Sequence, residues 1–243
     1  MEKVDVLILG AGGAGLMCGI ETAKRGKSTL LVDHASILGR KILISGGGRC
    51  NFTNLYADAE SYVSANPHFV KSALSRFTPG DFIELVEKHK IAYYEKKLGQ
   101  LFCKESAALI VNLLRKECEE NGAEIRLNTL VKGVALVEGG KRKEKHFGNF
   151  ENSAIESVTE YDTGFLVQTN GSLIFARSLV IATGGLSVPK VGATGIGYEI
   201  ARTFGHKIID TTPALDGFVF SEEDKEKYDQ LYGSSCDVTL RAD

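Results

Sequence analysis

The chain has 243 residues, 43% of them hydrophobic and 25% charged, an ordinary globular composition with material for a sizeable core. Its formal net charge of -2 argues against a general electrostatic attraction to nucleic acid, so we expect no nucleic-acid partner. The five cysteines include no CxxC pair, which argues against a disulfide framework and against a metal site built on cysteine. The apolar N-terminus lacks a basic region, and its uncharged stretch is too short to span a bilayer. We therefore expect a cytoplasmic protein that binds neither metal nor membrane.

Two buried strands and a helix are predicted at the start of the chain. VDVLIL at residues 4 to 9 and STLLVD at residues 28 to 33 are short apolar runs, typical of strands in a parallel sheet. Between them a helix is predicted from Gly13 to about Arg25, with Gly26 as its C-terminal cap.

Further helices and strands alternate along the rest of the chain. Helical patterns occupy residues 67 to 77, 79 to 89 and 106 to 121. Strands and tight turns are predicted at residues 123 to 137, 164 to 170 and 172 to 185. The polar residues 139 to 160 include the charge run KRKEK, which predicts a solvated loop. The pattern predicts an α/β protein with a β-rich excursion.

A glycine motif with the spacing G-x-G-x-x-G joins the first strand to the first helix. Gly10, Gly12 and Gly15 permit a tight turn, close approach of a pyrophosphate and helix–strand packing. The phosphates would lie at the helix N-terminus, where unpaired N–H groups and the helix dipole favour negative charge. Asp33 ends the second strand, where it can accept hydrogen bonds from ribose hydroxyls and would repel a 2′-phosphate, which disfavours NADP. This context favours dinucleotide binding over a glycine turn without a ligand.

The stretch GRKILISGGGRCNFTN, residues 39 to 54, favours FAD over NAD. In a simple NAD-binding domain the second strand leads into a helix and a third strand, whereas here it leads into glycines and cations with little helical periodicity. Glycines allow a ligand to approach the backbone, and Arg40, Lys41 and Arg49 suit phosphates or a flavin ring. A second glycine-rich strand end, LVIATGG at residues 179 to 185, offers another approach to a long cofactor.

Three stretches together carry a family resemblance: GAGGAGLMCGIETAKRG, GRKILISGGGRCNFTN and ATGGLSVPKVGATGIGYEIARTFGH. They resemble the aminoacetone-oxidase-like bacterial flavoproteins, the family that includes the BaiN-type bile-acid enone reductases. The middle stretch is the most specific, and the resemblance covers the chain apart from residues 139 to 160. It implies a Rossmann-like FAD-binding domain with a β-meander excursion and an inserted substrate domain.

The resemblance assigns the glycine turn to the pyrophosphate, Asp33 to the ribose and residues 45 to 51 to the flavin side. Val131 would offer backbone groups to the adenine, and the second glycine-rich strand end would close over the cofactor. An acid of many family members is replaced by Ile196, which puts a polar role there in doubt. The candidate cofactor-binding residues are Gly10, Gly12, Gly13, Ala14, Gly15, Asp33, His34, Arg40, Lys41, Ser45, Gly46, Gly47, Arg49, Cys50, Asn51, Val131, Thr183 and Gly184.

The resemblance also implies a division into domains. Residues 1 to 211 would be the first part of the FAD-binding domain, and residues 212 to 243 the beginning of an inserted substrate domain. The final DVTLRAD is predicted to be a strand of that second domain, so the chain would be truncated and its flavin pocket incomplete.

The activity implied by the resemblance is that of an FAD-dependent oxidoreductase acting on a small organic substrate. The flavin would accept or donate a hydride, with NAD(P)H as a candidate diffusible co-substrate, and no catalytic residue is assigned. Two alternatives stay open: a flavin-containing partner in RNA modification, against which the slightly acidic chain argues, and a non-catalytic remnant of an FAD domain.

Two further expectations concern single residues near the flavin. A cation beside the flavin N1–C2=O edge would stabilise the anionic reduced ring, and Lys41 and Arg49 are equal candidates. Cys50 is expected to be a structural or flavin-adjacent thiol, because a redox role requires a partner and the nearest cysteines in sequence are Cys18 and Cys103.

Overall fold

The structure is a computed structural model that describes residues 1–150, 158–159, 162–188, 192–212, 221–231 and 239. The chain divides into two compact units, Met1–Ile208 and Ile209–Asp243. The strand predicted in the last seven residues lies outside the described part, apart from residue 239. The predicted domain boundary after residue 211 stays a prediction.

Helices and strands alternate through the first unit, as the apolar patterns predict. The strands are β1 (Glu2–Leu9), β2 (Thr29–Val32), β3 (Asn51–Asn54), β4 (Tyr93–Glu95), β5 (Gln100–Cys103), β6 (Glu124–Arg126), β7 (Val131–Glu138), β8 (Lys141–Gly148), β9 (Gly164–Thr169) and β10 (Leu173–Ile181). The α-helices are α1 (Gly13–Lys24), α2 (Arg40–Ile44), α3 (Lys71–Arg76), α4 (Pro79–Lys88), α5 (Ala108–Glu120) and α6 (Ile196–Thr203). In the described part of the second unit, α7 spans Glu222–Tyr228.

A seven-stranded mixed sheet forms the centre of the first unit, in the order β6-β2-β1-β10-β9-β7-β8. The strands β6, β2, β1 and β10 are parallel, whereas β9, β7 and β8 continue the sheet in antiparallel pairs. The predicted fold class, a Rossmann-like FAD-binding domain with a β-meander excursion, is confirmed. β2 lies on one side of β1 and β10 on the other, so the strand order reverses at β1. In open α/β sheets, ligands bind at the carboxyl ends of the strands where the order reverses.

Both faces of the parallel strands are buried, which is why VDVLIL is apolar without alternation. Ile8 and Leu31 face a core with Leu16 and Ile20 of α1 and Leu114 of α5. The alternate strand residues face the other core, which includes Leu7, Leu30, Val134, Val167, Ile174 and Ile200. The sheet is therefore packed on both sides, and the loops at the carboxyl ends of its strands remain available for a site.

A separate three-stranded antiparallel sheet, in the order β3-β5-β4, was not predicted from the sequence. Its strands have three or four residues, too few for a clear alternation of apolar and polar side chains. The glycine run at residues 46 to 48 packs between this small sheet and the start of α5. Gly46 packs against the ring of Phe102 in β5, and Gly48 accepts a hydrogen bond from the N–H of Ala107 at 2.8 Å.

The prediction of a solvated loop around the charge run KRKEK is wrong. Residues 141 to 148 form β8, the outer strand of the large sheet, which pairs with β7. Most of its side chains are exposed, so the charges remain solvated while the backbone is paired on one side. Lysines are common on edge strands because they oppose pairing with another chain. The charge run therefore indicated that these side chains are solvated, but it gave no indication that the backbone forms a strand.

Candidate functional site

A cavity of about 330 Å³ lies at the carboxyl ends of β1, β2 and β10, where the strand order reverses. Its size is within the range of small-molecule and cofactor sites. Val131, the first residue of β7, also lines this cavity. Eleven predicted residues line it: Gly10, Gly12, Gly13, Ala14, Asp33, His34, Arg40, Lys41, Val131, Thr183 and Gly184.

The three glycines of the G-x-G-x-x-G turn have different surroundings. A Cβ on Gly10 would lie 2.4 Å from the carbonyl oxygen of Ala182, and one on Gly15 would lie 1.9 Å from the carbonyl oxygen of Gly10. A Cβ on Gly12 meets no atom within 4 Å, although Gly12 lines the cavity. Gly10 and Gly15 are therefore required by the packing of the protein, whereas Gly12 leaves space for a ligand.

The N-terminus of α1 points its unpaired backbone N–H groups toward the same space. Gly12 is the cap residue, and the first turn contains no acidic side chain. The first N–H groups of a helix have no intrahelical acceptor, and the helix dipole adds positive potential. Gly13 and Ala14 line the cavity beside Gly12. The residues present fit a diphosphate at this position.

Asp33 braces the glycine turn, a role that the sequence did not reveal. One carboxylate oxygen accepts the N–H of Ala11 at 2.8 Å, and the other accepts the N–H of Ala35 at 2.8 Å. Each carboxylate oxygen can accept more than one hydrogen bond, so capacity remains for ribose hydroxyls. Asp33 therefore holds together two stretches of the cavity wall.

Arg40 and Lys41, the two cations that follow β2, both line the cavity. Among contacts within the described residues, only Lys41 of this pair donates side-chain hydrogen bonds. Lys41 Nζ donates to the carbonyl of Gly185 at 2.9 Å and to the hydroxyl of Ser187 at 3.2 Å. These contacts tie α2 to the loop after β10. The side chain of Arg40 lies near Gly192, where a Cβ would come within 3.2 Å of its Nη1.

The remaining predicted residues lie outside this cavity: Gly15, Ser45, Gly46, Gly47, Arg49, Cys50 and Asn51. The Arg49 guanidinium donates to the carbonyl oxygen of Lys104. A Cβ on Gly46 would lie 2.7 Å from the Phe102 ring, so this glycine is needed for packing. The geometry therefore separates the two cations proposed for the flavin edge, since Lys41 lines the cavity and Arg49 does not.

The fold brings Cys103 next to Cys50, since the N–H of Cys103 donates to the carbonyl of Arg49 at 2.9 Å. Both side chains are buried. Burial, and then the nearby Cys50 thiol, raise the pKa of Cys103 to about 11. Burial also raises the pKa of Cys50, although a hydrogen bond with Ser45 partly opposes it. Such thiols stay protonated at neutral pH and react poorly, which favours a structural role.

Helix α6, which also reaches the cavity, was not predicted from the sequence. Gly192, Ala193 and Thr194 line the cavity, as does Ile196 at the start of α6. A Cβ on Gly197 would lie 2.3 Å from the Thr183 hydroxyl, which shows how closely α6 approaches the end of β10. The second glycine-rich stretch, GATGIG, was the available signal for this wall.

No group of three or more His, Cys, Asp or Glu side chains in the described part of the chain has the arrangement to hold a metal ion. No helix there is sufficiently long and apolar to cross a membrane.

Known proteins resemble this chain in sequence and in fold. A ribosomal RNA dihydrouridine synthase of Escherichia coli (strain K12) is 43% identical over 243 residues, covering 100% of this chain and 55% of the relative. A 3-dehydro-bile acid delta(4,6)-reductase of Clostridium scindens is 27% identical over 212 residues, covering 86% of this chain and 46% of the relative. This chain thus spans about half the length of the curated relatives it matches.

A solved structure shares the fold. The open conformation of a flavocytochrome c3 fumarate reductase aligns with a TM-score of 0.51 and 21% identity, over 85% of this chain and 41% of that one. Residues 4–227 match the family described as HI0933-like protein Rossmann domain, which is nearly the whole chain. The chain belongs to this HI0933-like family.

Proposed function

We propose that this chain is the FAD-binding part of an FAD-dependent oxidoreductase. The observation that carries the proposal is the open space at Gly12, where the glycine turn and the α1 N-terminus face a cavity lined by Arg40 and Lys41. The glycine turn and the α1 N-terminus would bind the diphosphate, and Asp33 would bind the ribose while bracing the turn. When bound, the flavin would supply hydride chemistry.

The reaction class that we propose is reduction of a C=C bond conjugated to a carbonyl group. The name dihydrouridine synthase denotes addition of two hydrogens to the uracil ring, and delta(4,6)-reductase denotes a steroid alkene. Both substrates are activated alkenes, although one is RNA and the other a small molecule. NAD(P)H remains our proposed source of electrons, and the cytoplasm our proposed location.

The first candidate substrate is a small organic molecule, as the net charge of -2 favours. A second candidate, uridine in ribosomal RNA, is favoured by a specific observation: a relative 43% identical along the whole chain carries that name. Net charge describes the average surface and does not exclude a local contact with phosphate.

The cofactor proposal is tested by titrating FAD into the purified chain and following the quenching of flavin fluorescence. We expect saturable binding with one FAD per chain. Absence of binding by this chain and by a longer natural protein containing it would refute the proposal. Binding only by the longer protein would show that this chain lacks part of the pocket.

The reaction class is tested on the longer protein under anaerobic conditions, after chemical reduction of its flavin. A steroid dienone and a uridine-containing ribosomal RNA fragment are added separately, and the return of oxidised flavin absorbance is followed. We expect one of them to reoxidise the flavin. Reoxidation by neither, with oxygen as a positive control, would contradict the proposed class.

A further inference from the structure

The turn between β4 and β5, residues 96 to 99, is held in one conformation by hydrogen bonds. The N–H of Lys96 donates to the carbonyl of Gln100 at 2.9 Å, and the N–H of Gly99 donates to the Glu95 carboxylate at 3.0 Å. The Asn54 side-chain amide donates to the carbonyl of Leu98 at 2.9 Å. The turn and the end of β3 therefore form a single rigid tip.

The tip presents two apolar side chains to solvent. Leu98 is 78% exposed and has a φ of 51°, a left-handed conformation that is strained for a non-glycine residue. Tyr56 is 70% exposed, and its ring lies so close to Gly99 that a Cβ there would come within 2.7 Å. Its N–H donates to Asn54 Oδ1 at 2.8 Å. An exposed aromatic ring is thus held in place before any partner binds.

The same turn carries two cations. Lys96 and Lys97 are exposed, and neither forms an ion pair within the part of the chain that the structure describes. Lys96 Nζ lies 5.3 Å from the centroid of Phe102, and the adjacent Glu95 carboxylate is engaged by the Gly99 N–H. Proteins bind single-stranded nucleic acid by combining cations for the phosphates with aromatic rings on which bases stack. The tip has both.

The tip is connected to the cavity through short elements. β3 leads from the glycine run at residues 46 to 48 to Asn54, and four residues of strand span about 13 Å. The glycine run follows α2, whose Arg40 and Lys41 line the cavity. A polynucleotide held at the tip would therefore be anchored on the same structural segment as the proposed flavin site.

We propose that Tyr56, Leu98 and the two lysines at residues 96 and 97 form a contact site for single-stranded RNA. The inference rests on the second candidate function, reduction of uridine in ribosomal RNA. Sequence-specific recognition of RNA commonly targets unpaired loops whose bases stack on aromatic side chains. In this arrangement Tyr56 stacks on a base that neighbours the target uridine, and Lys96 and Lys97 contact its flanking phosphates.

The test measures binding of a fluorescent single-stranded RNA of about a dozen nucleotides by anisotropy, at low and moderate salt. We expect Tyr56→Ala to weaken binding by about 5-fold to 100-fold, as removal of a stacking partner does. Replacing both Lys96 and Lys97 with Ala should weaken binding and flatten its salt dependence. Matched controls are Tyr62→Ala, another exposed tyrosine, and Lys141→Ala with Lys145→Ala on β8.

Several outcomes would overturn the proposal. These are no RNA binding by the parent chain at low salt, a change within twofold for Tyr56→Ala, or an equal loss in the β8 control. A dimer in sedimentation that Tyr56→Ala dissociates would assign the tip to a second copy instead. FAD affinity is measured on the same samples. FAD binding without RNA binding refutes only this inference, whereas absence of FAD binding by both the parent chain and a longer protein containing it counts against the proposed function.

Discussion

Single residues of the glycine turn divide into those that the protein needs and those that a ligand needs. Gly10 has a φ of 106° and no room for a Cβ, and Gly15 abuts the carbonyl of Gly10. Gly12 has an extended backbone that any residue can adopt, and a Cβ there would point into open space in the cavity instead of against the protein. Substitutions at these positions should therefore have different consequences for stability and for binding.

We expect Gly12→Val to weaken FAD binding at least a hundredfold, because its side chain would occupy the proposed phosphate position. The free energy of unfolding without FAD should change by less than about 1 kcal/mol, since the new Cβ meets no protein atom within 4 Å. Urea denaturation and FAD titration measure the two effects. Gly171→Val, also in open space but away from the cavity, is the control. Unchanged FAD affinity in Gly12→Val would contradict the assignment of the turn.

Asp33→Ala should destabilise the chain even without cofactor. The substitution leaves the N–H of Ala11 without its acceptor, and an unpaired buried donor costs about 1–3 kcal/mol. Denaturation in the absence of FAD measures this loss directly. A variant with parental stability and weakened FAD binding would show that Asp33 acts on the ribose alone.

Lys41 and Arg49 should differ in their effect on the flavin. Lys41→Ala should lower the reduction potential of bound FAD, because the cation that lines the cavity would no longer stabilise the reduced ring. Arg49→Ala should leave the potential unchanged, since Arg49 lies outside the cavity and its guanidinium donates to the backbone carbonyl of Lys104. Equilibration of each variant with a redox dye measures the potential. A larger shift for Arg49→Ala would reverse the assignment.

At the scale of the elements, a buried carboxylate joins α4 to α5. The Glu117 side chain is 2% exposed, and its Oε1 lies 2.6 Å from Lys88 Nζ and 2.7 Å from His89 Nε2. Burial raises the pKa of Glu117, but the hydrogen bonds from Lys88 and His89 outweigh it and lower the pKa overall. The buried Glu117 carboxylate thus links α4 to α5, in addition to the apolar core to which both helices contribute.

This cluster predicts a dependence of stability on pH. A carboxyl with a lowered folded-state pKa stabilises the protein above its unfolded pKa of about 4.3, and that contribution disappears as the pH falls through the folded pKa. Glu117→Gln should therefore destabilise the chain by about 1–3 kcal/mol near neutral pH and by less in acid. Glu120→Gln, in an exposed pair with Lys116, is the control on the same helix. If Glu117→Gln lost the same stability near neutral pH and in acid, the proposed titration of Glu117 would be contradicted.

For the whole molecule, cofactor binding should raise stability by mass action. A ligand that binds only the folded chain adds about 2.7 kcal/mol at a concentration of 100 Kd. For a chain of this size that corresponds to a rise in Tm of about 5–11 °C. Thermal unfolding with and without FAD measures the shift, which Gly12→Val should abolish. A parent chain that binds FAD without any rise in Tm would indicate comparable binding to the unfolded state.

Much of the large sheet and half of the cavity wall could be predicted from the sequence. The runs VDVLIL and STLLVD are apolar throughout because both faces of these parallel strands are buried, and a glycine turn followed by a helix has a local signature. These local features predicted that Gly12, Asp33 and Thr183 lie near one cofactor, and all three line the cavity. Family membership also follows from the sequence, over residues 4–227.

Other features depend on contacts between residues that are distant in sequence. The strands of the small sheet are too short for a periodic signal, and β8 reads as a loop because an exposed edge strand has no buried face. The bracing of Ala11 by Asp33 and the separation of Lys41 from Arg49 arise from how loops meet across the sheet. Sequence alone determined which segments are buried and which turn is glycine-dependent, because burial and backbone freedom are local requirements. Only the tertiary structure decided which side chains share the cavity, since that depends on strand order and loop packing.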